Sequence, residues 1–192
     1  MGIVGGWIRA LRGDAGSRPG EKPGDKPSGG RVRPAGRHEL QFFETVQPDP
    51  PTPVTRERVE ALLDEQGLGW FVDHEGDLGL MFQGRLHYVL LLGPGSGALQ
   101  VRGQWNRLAA IERLDDLLEL CQQVNLERVW PSVFVQVRDD GTVAPTAQIS
   151  TFLPYGATDE QLATFVLGGL GVTNAFFDAL DEVYPDPVAE AP

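Results

Sequence analysis

Four prolines fall within six residues at Pro48-Asp49-Pro50-Pro51-Thr52-Pro53, and they decide where a core can begin. Proline has a fixed φ and no amide donor, so this run suits neither a helix interior nor a central strand and reads as a stiff extended linker. Upstream, residues 13–37 hold Gly, Pro, Ser and mixed charges with almost no large apolar side chain. Such a segment buries too little surface to offset its ordering entropy, so residues 1–52 are expected to be a disordered tail and linker. One folded domain is expected over 53–186, followed by a disordered end at 187–192.

The charge divides at nearly the same place. Residues 1–40 carry eight of the 16 Arg and Lys but only four of the 27 Asp and Glu, a net of +4, which leaves −15 on the rest of a chain whose total is −11. A body this acidic repels phosphate backbones, so direct nucleic-acid binding by the folded part is excluded as an expectation and the basic tail is left with weak, non-specific contacts. Cys121 is the only cysteine. It allows no intrachain disulfide and no CxxC metal site, which fits a reducing, cytoplasmic setting. The opening Met1-Gly2-Ile3-Val4-Gly5-Gly6-Trp7-Ile8-Arg9-Ala10-Leu11-Arg12 lacks the basic start, long apolar run and cleavage site of a signal peptide, and it is too short to span a bilayer. Gly6 stands where a myristoylation signal wants Ser or Thr. Ile3, Trp7, Ile8 and Leu11 could share one helical face against a surface, although a frayed terminus is the plainer expectation.

Past the linker the pattern is regular. Thr55 is a plausible N-cap, Val59, Leu62 and Leu63 form an apolar stripe and Gly67 is a stop, so 55–66 reads as a helix. Short strands follow at 68–72, 78–83, 86–92 and 99–105, separated by Asp73–Asp77, Gly84-Arg85 and Gly93-Pro94-Gly95-Ser96-Gly97, the pattern of an antiparallel meander. A second helix carries Ile111, Leu114, Leu117, Leu118, Cys121 and Val124 on its apolar side and ends before Trp130-Pro131. Val133, Val135 and Val137 alternate with polar or aromatic neighbours, and Asp139-Asp140-Gly141 turns the chain into 142–152, a second hairpin. Thr158 and Gln161 have the spacing of a capping box for a last helix with Leu162, Phe165, Val166, Phe176, Phe177, Leu180 and Tyr184 on its buried side. Gly168, Gly169 and Gly171 interrupt that helix, which demands either a close approach to a neighbour or a kink. The fold class is α+β: helix, meander, helix, hairpin, helix, with the helices on one side of a sheet.

No catalytic set emerges. Cys121 sits on an apolar stripe, where a thiolate is disfavoured, so packing is its expected role. His38, His74 and His87 make no metal-ligand spacing, and no metal or cofactor is expected. His87 could face an acid across the sheet, but a surface or half-buried histidine is the simpler expectation. Asp73, Glu75 and Asp77 alternate like calcium ligands, yet Gly76 falls at the fourth position rather than the sixth and the segment joins two strands, so a hairpin turn is expected. The loop 93–97 leads into a strand and lacks Lys, which argues against a phosphate loop, and Pro94 and Ala98 stand where a nucleophile elbow around Ser96 needs glycine.

The run Leu117-Leu118-Glu119-Leu120-Cys121-Gln122-Gln123-Val124-Asn125, then Trp130-Pro131, Val133–Val137 and Asp139-Asp140-Gly141, resembles the YbjN domain family of bacteria, especially its actinobacterial branch. Gly156, Thr158, Gln161-Leu162, Phe176-Phe177, Leu180 and Tyr184-Pro185 agree with it, and the resemblance covers about residues 53–186. The resemblance implies a fold similar to the small chaperones of type III secretion, which usually dimerise, and a family described as regulators of sensory transduction. It implies no enzyme activity. The sequence departs from the family at Gln148, where members often carry Glu, so no acid role carries over to that position.

Three functional expectations follow. The first is a non-enzymatic protein-binding module, a chaperone-like adaptor or regulator acting as a homodimer, with Trp105, Trp130 and Tyr155 as aromatic anchors beside turns. The second is a small-molecule-sensing regulator with its ligand between sheet and helices. The third is an enzyme with a dispersed site around His87 and one of the 23 acids after residue 40.

Overall fold

The computed structural model describes residues 50–184, so the expectations for the tail and for the last residues lie outside it. The chain enters at the linker's end, where Thr52 bridges Ala157 through N–H···O bonds of 3.2 and 2.9 Å. Gly156 permits this closure: its φ is +85°, and a Cβ there would lie 1.9 Å from the Thr52 carbonyl oxygen.

Helix α1 spans Arg56–Glu65, with the Thr55 hydroxyl accepting from the Arg58 amide and Val59, Leu62 and Leu63 buried. Strands β1 (Trp70–Val72), β2 (Leu78–Phe82), β3 (Arg85–Leu92) and β4 (Ala98–Gln104) form the expected antiparallel meander. The β2–β3 turn is shifted by one residue from its expected place. Gln83 and Gly84 are its two central residues, with φ of 49° and 78°, as a two-residue hairpin turn requires, and Arg85 becomes the first residue of β3.

The short strand β5 (Ala109–Ala110) and a 3-10 turn lead into α2 (Leu114–Glu127). The inward stripe of α2 is Leu117, Leu120, Cys121 and Val124, while Leu118 is 48% exposed. The expected stripe is corrected there. A helix rotates about 100° per residue, so a stripe centred on Leu117, with Leu120, Cys121 and Val124 close to either side, leaves Leu118 about 100° away, and Ile111 sits in the 3-10 turn before the helix. Strands β6 (Ser132–Val137) and β7 (Thr142–Phe152) make the second hairpin. β7 also pairs on its other edge with β4 and then β5, so the seven strands of the described residues form one antiparallel sheet.

Helix α3 (Asp159–Val183) opens with the expected capping box: the Thr158 hydroxyl accepts from the Gln161 amide at 3.1 Å, and the Gln161 side chain accepts from the Thr158 amide at 3.0 Å. It runs unbroken through its glycines. By length and composition α3 could cross a bilayer, yet half of its most apolar window is buried in this domain.

The register separates the two faces of the sheet. Leu78, Val89, Val101 and Ile149 line up across it, as do Leu80, His87, Gly103, Ala147 and Val133, and these rows face the helices. One core cluster joins α1 and the first half of α3 to that face; a second joins α2 and the last half of α3 to β6, β7 and Trp105. Tyr88, Arg102, Gln148 and Ser132 form a row on the opposite face, which none of the described helices covers.

Candidate functional site: an apolar groove beside helix α3

α1 and α2 pack against different halves of α3, and among the described residues none covers the flank of α3 over Ile149. A groove of about 480 Å³ lies there, lined chiefly by Trp130, Ile149, Gln161, Phe165, Gly168 and Val172. The glycines explain its shape. A Cβ on Gly169 would meet Ile149 Cδ1 at 2.7 Å and Val101 Cβ at 2.9 Å, so this residue lets α3 lie close to the sheet. A Cβ on Gly168, which also lines the groove, would meet nothing within 4 Å, and its missing side chain leaves the groove wide there. Gly169 therefore answers to close approach and none of the three glycines to a break in the helix, while a Cβ on Gly171, like one on Gly168, would meet nothing within 4 Å. Trp130 is 60% exposed at the wall, and the apolar residues shortly before it, Leu126 and Val129, are 81% and 85% exposed. Single exposed apolar residues are ordinary, and neither Leu126 nor Val129 lines the groove itself.

Of the three expected anchors, Trp130 lines this groove. Tyr155 is 87% exposed in the turn before α3 and does not line it. Trp105 is corrected: it is buried, its indole N–H donates to Asp181 Oδ1 at 2.9 Å, and the Arg107 guanidinium stacks 4.3 Å from its ring centroid. Its ring is packed in the core, with only a small edge left at a hollow beside Leu108 and Tyr184.

Behind Trp105 lies a polar cluster that the sequence does not announce. Arg85 is buried and donates to Asn174 Oδ1 at 2.6 Å, to Asp178 Oδ1 at 2.7 Å and to Asp181, which also accepts from Arg107. Asn174 in turn donates to Gln83 Oε1 at 2.7 Å. Burial pushes the Asp181 carboxyl up, but the bonds from Trp105, Arg85 and Arg107 outweigh it and hold the group below the usual carboxylate range. A polar Asn174 within the apolar stripe of the last helix was the available signal.

His87 is fully buried rather than half-buried or at the surface. Nδ1 lies 3.1 Å from the Arg85 carbonyl and Nε2 3.2 Å from Thr173 Oγ1, with Phe82 and Phe177 edge-on to the ring. Burial, then the positive charge of Arg85, lowers its pKa. Its polar contacts are a carbonyl and a hydroxyl, not an acid, so the geometry gives it no general-acid partner. Burial pushes the Cys121 thiol up to about 12, which keeps it protonated and unreactive.

The open face holds a second hollow of about 310 Å³. Arg102 lies in it, with Nε donating to Gln148 Oε1 at 3.2 Å and an NH₂ group to Gln100 Oε1 at 2.8 Å. Among the described residues no carboxylate lies within ion-pair distance of Arg102. Asp73, Glu75 and Asp77 line the same hollow, their ligand oxygens within 4.8 Å of one another. They belong to the β1–β2 turn expected from the sequence: Asp73 Oδ1 accepts from the Glu75 and Asp77 amides at 2.9 Å each, and the Asp77 amide leads in holding its carboxyl below the usual range.

The sequence profile described as "Putative bacterial sensory transduction regulator", the YbjN family, matches residues 55–182, from the cap of α1 to the last turn of α3. The chain belongs to the YbjN family. Its fold agrees with the crystal structure of YbjN from E. coli, titled "a putative transcription regulator", at a TM-score of 0.59 and 16% identity over 69% of this chain and 96% of that one. An uncharacterized protein from Methanothermobacter thermautotrophicus aligns at a TM-score of 0.48 and 10% identity, covering 68% of this chain and 97% of its own. No curated protein matches the chain. The family's description is regulatory, and at 16% identity the structural likeness carries the fold alone.

Proposed function

We propose that this YbjN-family protein is a non-enzymatic regulatory module that holds an apolar segment of a partner protein in the groove beside Trp130. The observation that carries the reading is the groove itself: an uncovered flank of the core helix, floored by Ile149 and Phe165 and walled by an exposed tryptophan. Tryptophan is among the residues that most often dominate binding energy in a desolvated pocket. With Glu160 at the rim of an acidic body, the fitting partner segment is apolar with basic flanks. We take the compartment to be the cytoplasm, because Cys121 is a free thiol.

The test is retention of proteins from native lysate on the immobilised full chain, compared with Trp130→Ala and Gly168→Phe. A partner held stoichiometrically by the parent and lost from both variants, with melting temperatures unchanged, supports the reading. Equal retention by all three overturns it. Light scattering on the same proteins reads the homodimer: a dimer that Gly168→Phe dissociates assigns the groove to self-association instead.

A second reading rests on Arg102. A guanidinium held by two neutral amide oxygens, across a hollow from three carboxylates, suits a small zwitterion such as an amino acid. Calorimetric titration with free L-amino acids and with their N-acetyl amides tests it. Gln148→Glu would supply Arg102 with its own carboxylate, so binding that survives this change would sink the reading.

A further inference from the structure

The inference here rests on the groove reading and concerns its control. We propose that the groove beside Trp130 is covered, in the resting chain, by the chain's own N-terminal segment, residues 3–12, which a partner must displace.

Four observations converge on this occupant. The first is composition. Ile3, Val4, Trp7, Ile8 and Leu11 crowd into nine residues, whereas 13–37 hold Val32 as their one large apolar residue. Ile3, Trp7, Ile8 and Leu11 recur at the spacing of one helical face. The second is length. The groove follows α3 from Gln161 to Val172, roughly 17 Å at 1.5 Å per residue, and a helix over residues 3–12 would be roughly 15 Å long. Such a helix would stand on the flank of α3 that neither α1 nor α2 covers, and Gly168 would let it approach closely. A helix this short is marginal alone in water, so it would form on docking.

The third observation is reach. The chain enters the fold at Thr52, which is bridged to Ala157, one residue before the cap of α3 and beside the groove's near end. The intervening Gly- and Pro-rich residues span the distance many times over, and a tether of that kind gives an effective concentration on the order of millimolar. The fourth is charge. Arg9 and Arg12 follow the apolar residues of the segment in sequence, while Glu160 lines the groove on a body of −15. The other apolar stretch outside the described residues, around Phe42 and Phe43, is flanked by Glu39 and Glu44 and would meet that charge unfavourably.

Disulfide trapping in the full chain tests the proposal. Ile8→Cys is combined with Thr164→Cys in the groove, and separately with Ser150→Cys on the open face of the sheet, where the same tether reaches. Cys121 is buried and protonated and does not compete. Under mild oxidation and low protein concentration the groove pair should close intramolecularly roughly tenfold faster or more than the control pair, as docking adds to mere tethering. Adding Gly168→Phe to the groove pair should bring its rate down to that of the control. Equal rates for the two pairs overturn the proposal, as do cross-links between chains only, or faster trapping by Phe42→Cys than by Ile8→Cys. None of these outcomes touches the groove reading, which stands or falls with partner retention. If both hold, Trp7→Ser with Leu11→Ser should raise partner retention above that of the parent.

Discussion

Gly103 lies directly across the sheet from His87, and a Cβ on Gly103 would come within 2.6 Å of His87 Nε2 and 2.8 Å of Phe177 Cε2. The glycine makes room for a buried imidazole and for the last helix at once. Gly103→Ala should therefore destabilise the domain by about 1–3 kcal/mol through overpacking, read as a lower urea midpoint at constant m-value. An unchanged midpoint would show that the histidine moves aside without cost.

His87 should also set part of the acid sensitivity. Its native pKa is lowered by burial and by Arg85, while in the unfolded chain it returns to about 6.5. Below that value the unfolded chain takes up a proton that the native state refuses. Stability is thus full above pH of about 6.5 and falls as pH drops towards the native pKa, by up to about 1.4 kcal/mol per pH unit. His87→Gln should flatten this slope between mildly acidic and neutral pH in parallel urea titrations, whatever its effect on stability at neutral pH.

Asp181 acts in a lower window. Trp105, Arg85 and Arg107 hold its carboxyl below the unfolded range, so its contribution is present above pH of about 4 and is lost as pH falls through the native value. Asp181→Asn keeps the shape but leaves Arg85 with Asp178 as its remaining carboxylate partner. Because Asp181 is partly exposed, the expected loss is about 1–2 kcal/mol rather than that of a fully buried pair. The indole N–H of Trp105 then faces a neutral amide oxygen in place of a carboxylate, and the weaker bond should also shift Trp105 fluorescence, which separates this effect from a general change in charge.

Local signals carried the element order. The Thr55 and Thr158 caps, the alternation of Val133, Val135 and Val137 and the Asp139-Asp140-Gly141 turn each depend on neighbours within a few residues. So does the YbjN resemblance, which rests on the same runs. The site was legible only in part, because it is made by distant residues. Trp130 could be flagged as an aromatic beside a turn, but whether it or Trp105 faced outward depended on Asp181, 76 residues beyond Trp105. Arg85 finds its partners 89 to 96 residues away, and no pattern near Arg85 indicates them. Leu118 misleads for a different reason: on a helix with several leucines in succession, composition does not fix the phase of the stripe.

Adjacent glycines in α3 should respond oppositely to the same substitution, and that contrast tests both the packing and the groove. At Gly168 an added Cβ meets nothing within 4 Å, so Gly168→Ala gains helix propensity and should stabilise by about 0.5–1 kcal/mol. At Gly169 the same methyl meets Val101 and Ile149 below 3.0 Å, and overpacking of about 1–3 kcal/mol outweighs the helix gain. Thermal melts of the two alanine variants decide this. The larger Gly168→Phe fills the groove from its open side, where a Cβ meets nothing within 4 Å, so it should melt close to the parent and yet release any partner held beside Trp130. A Gly168→Phe chain that unfolds would instead mean that this flank of α3 is packed rather than open.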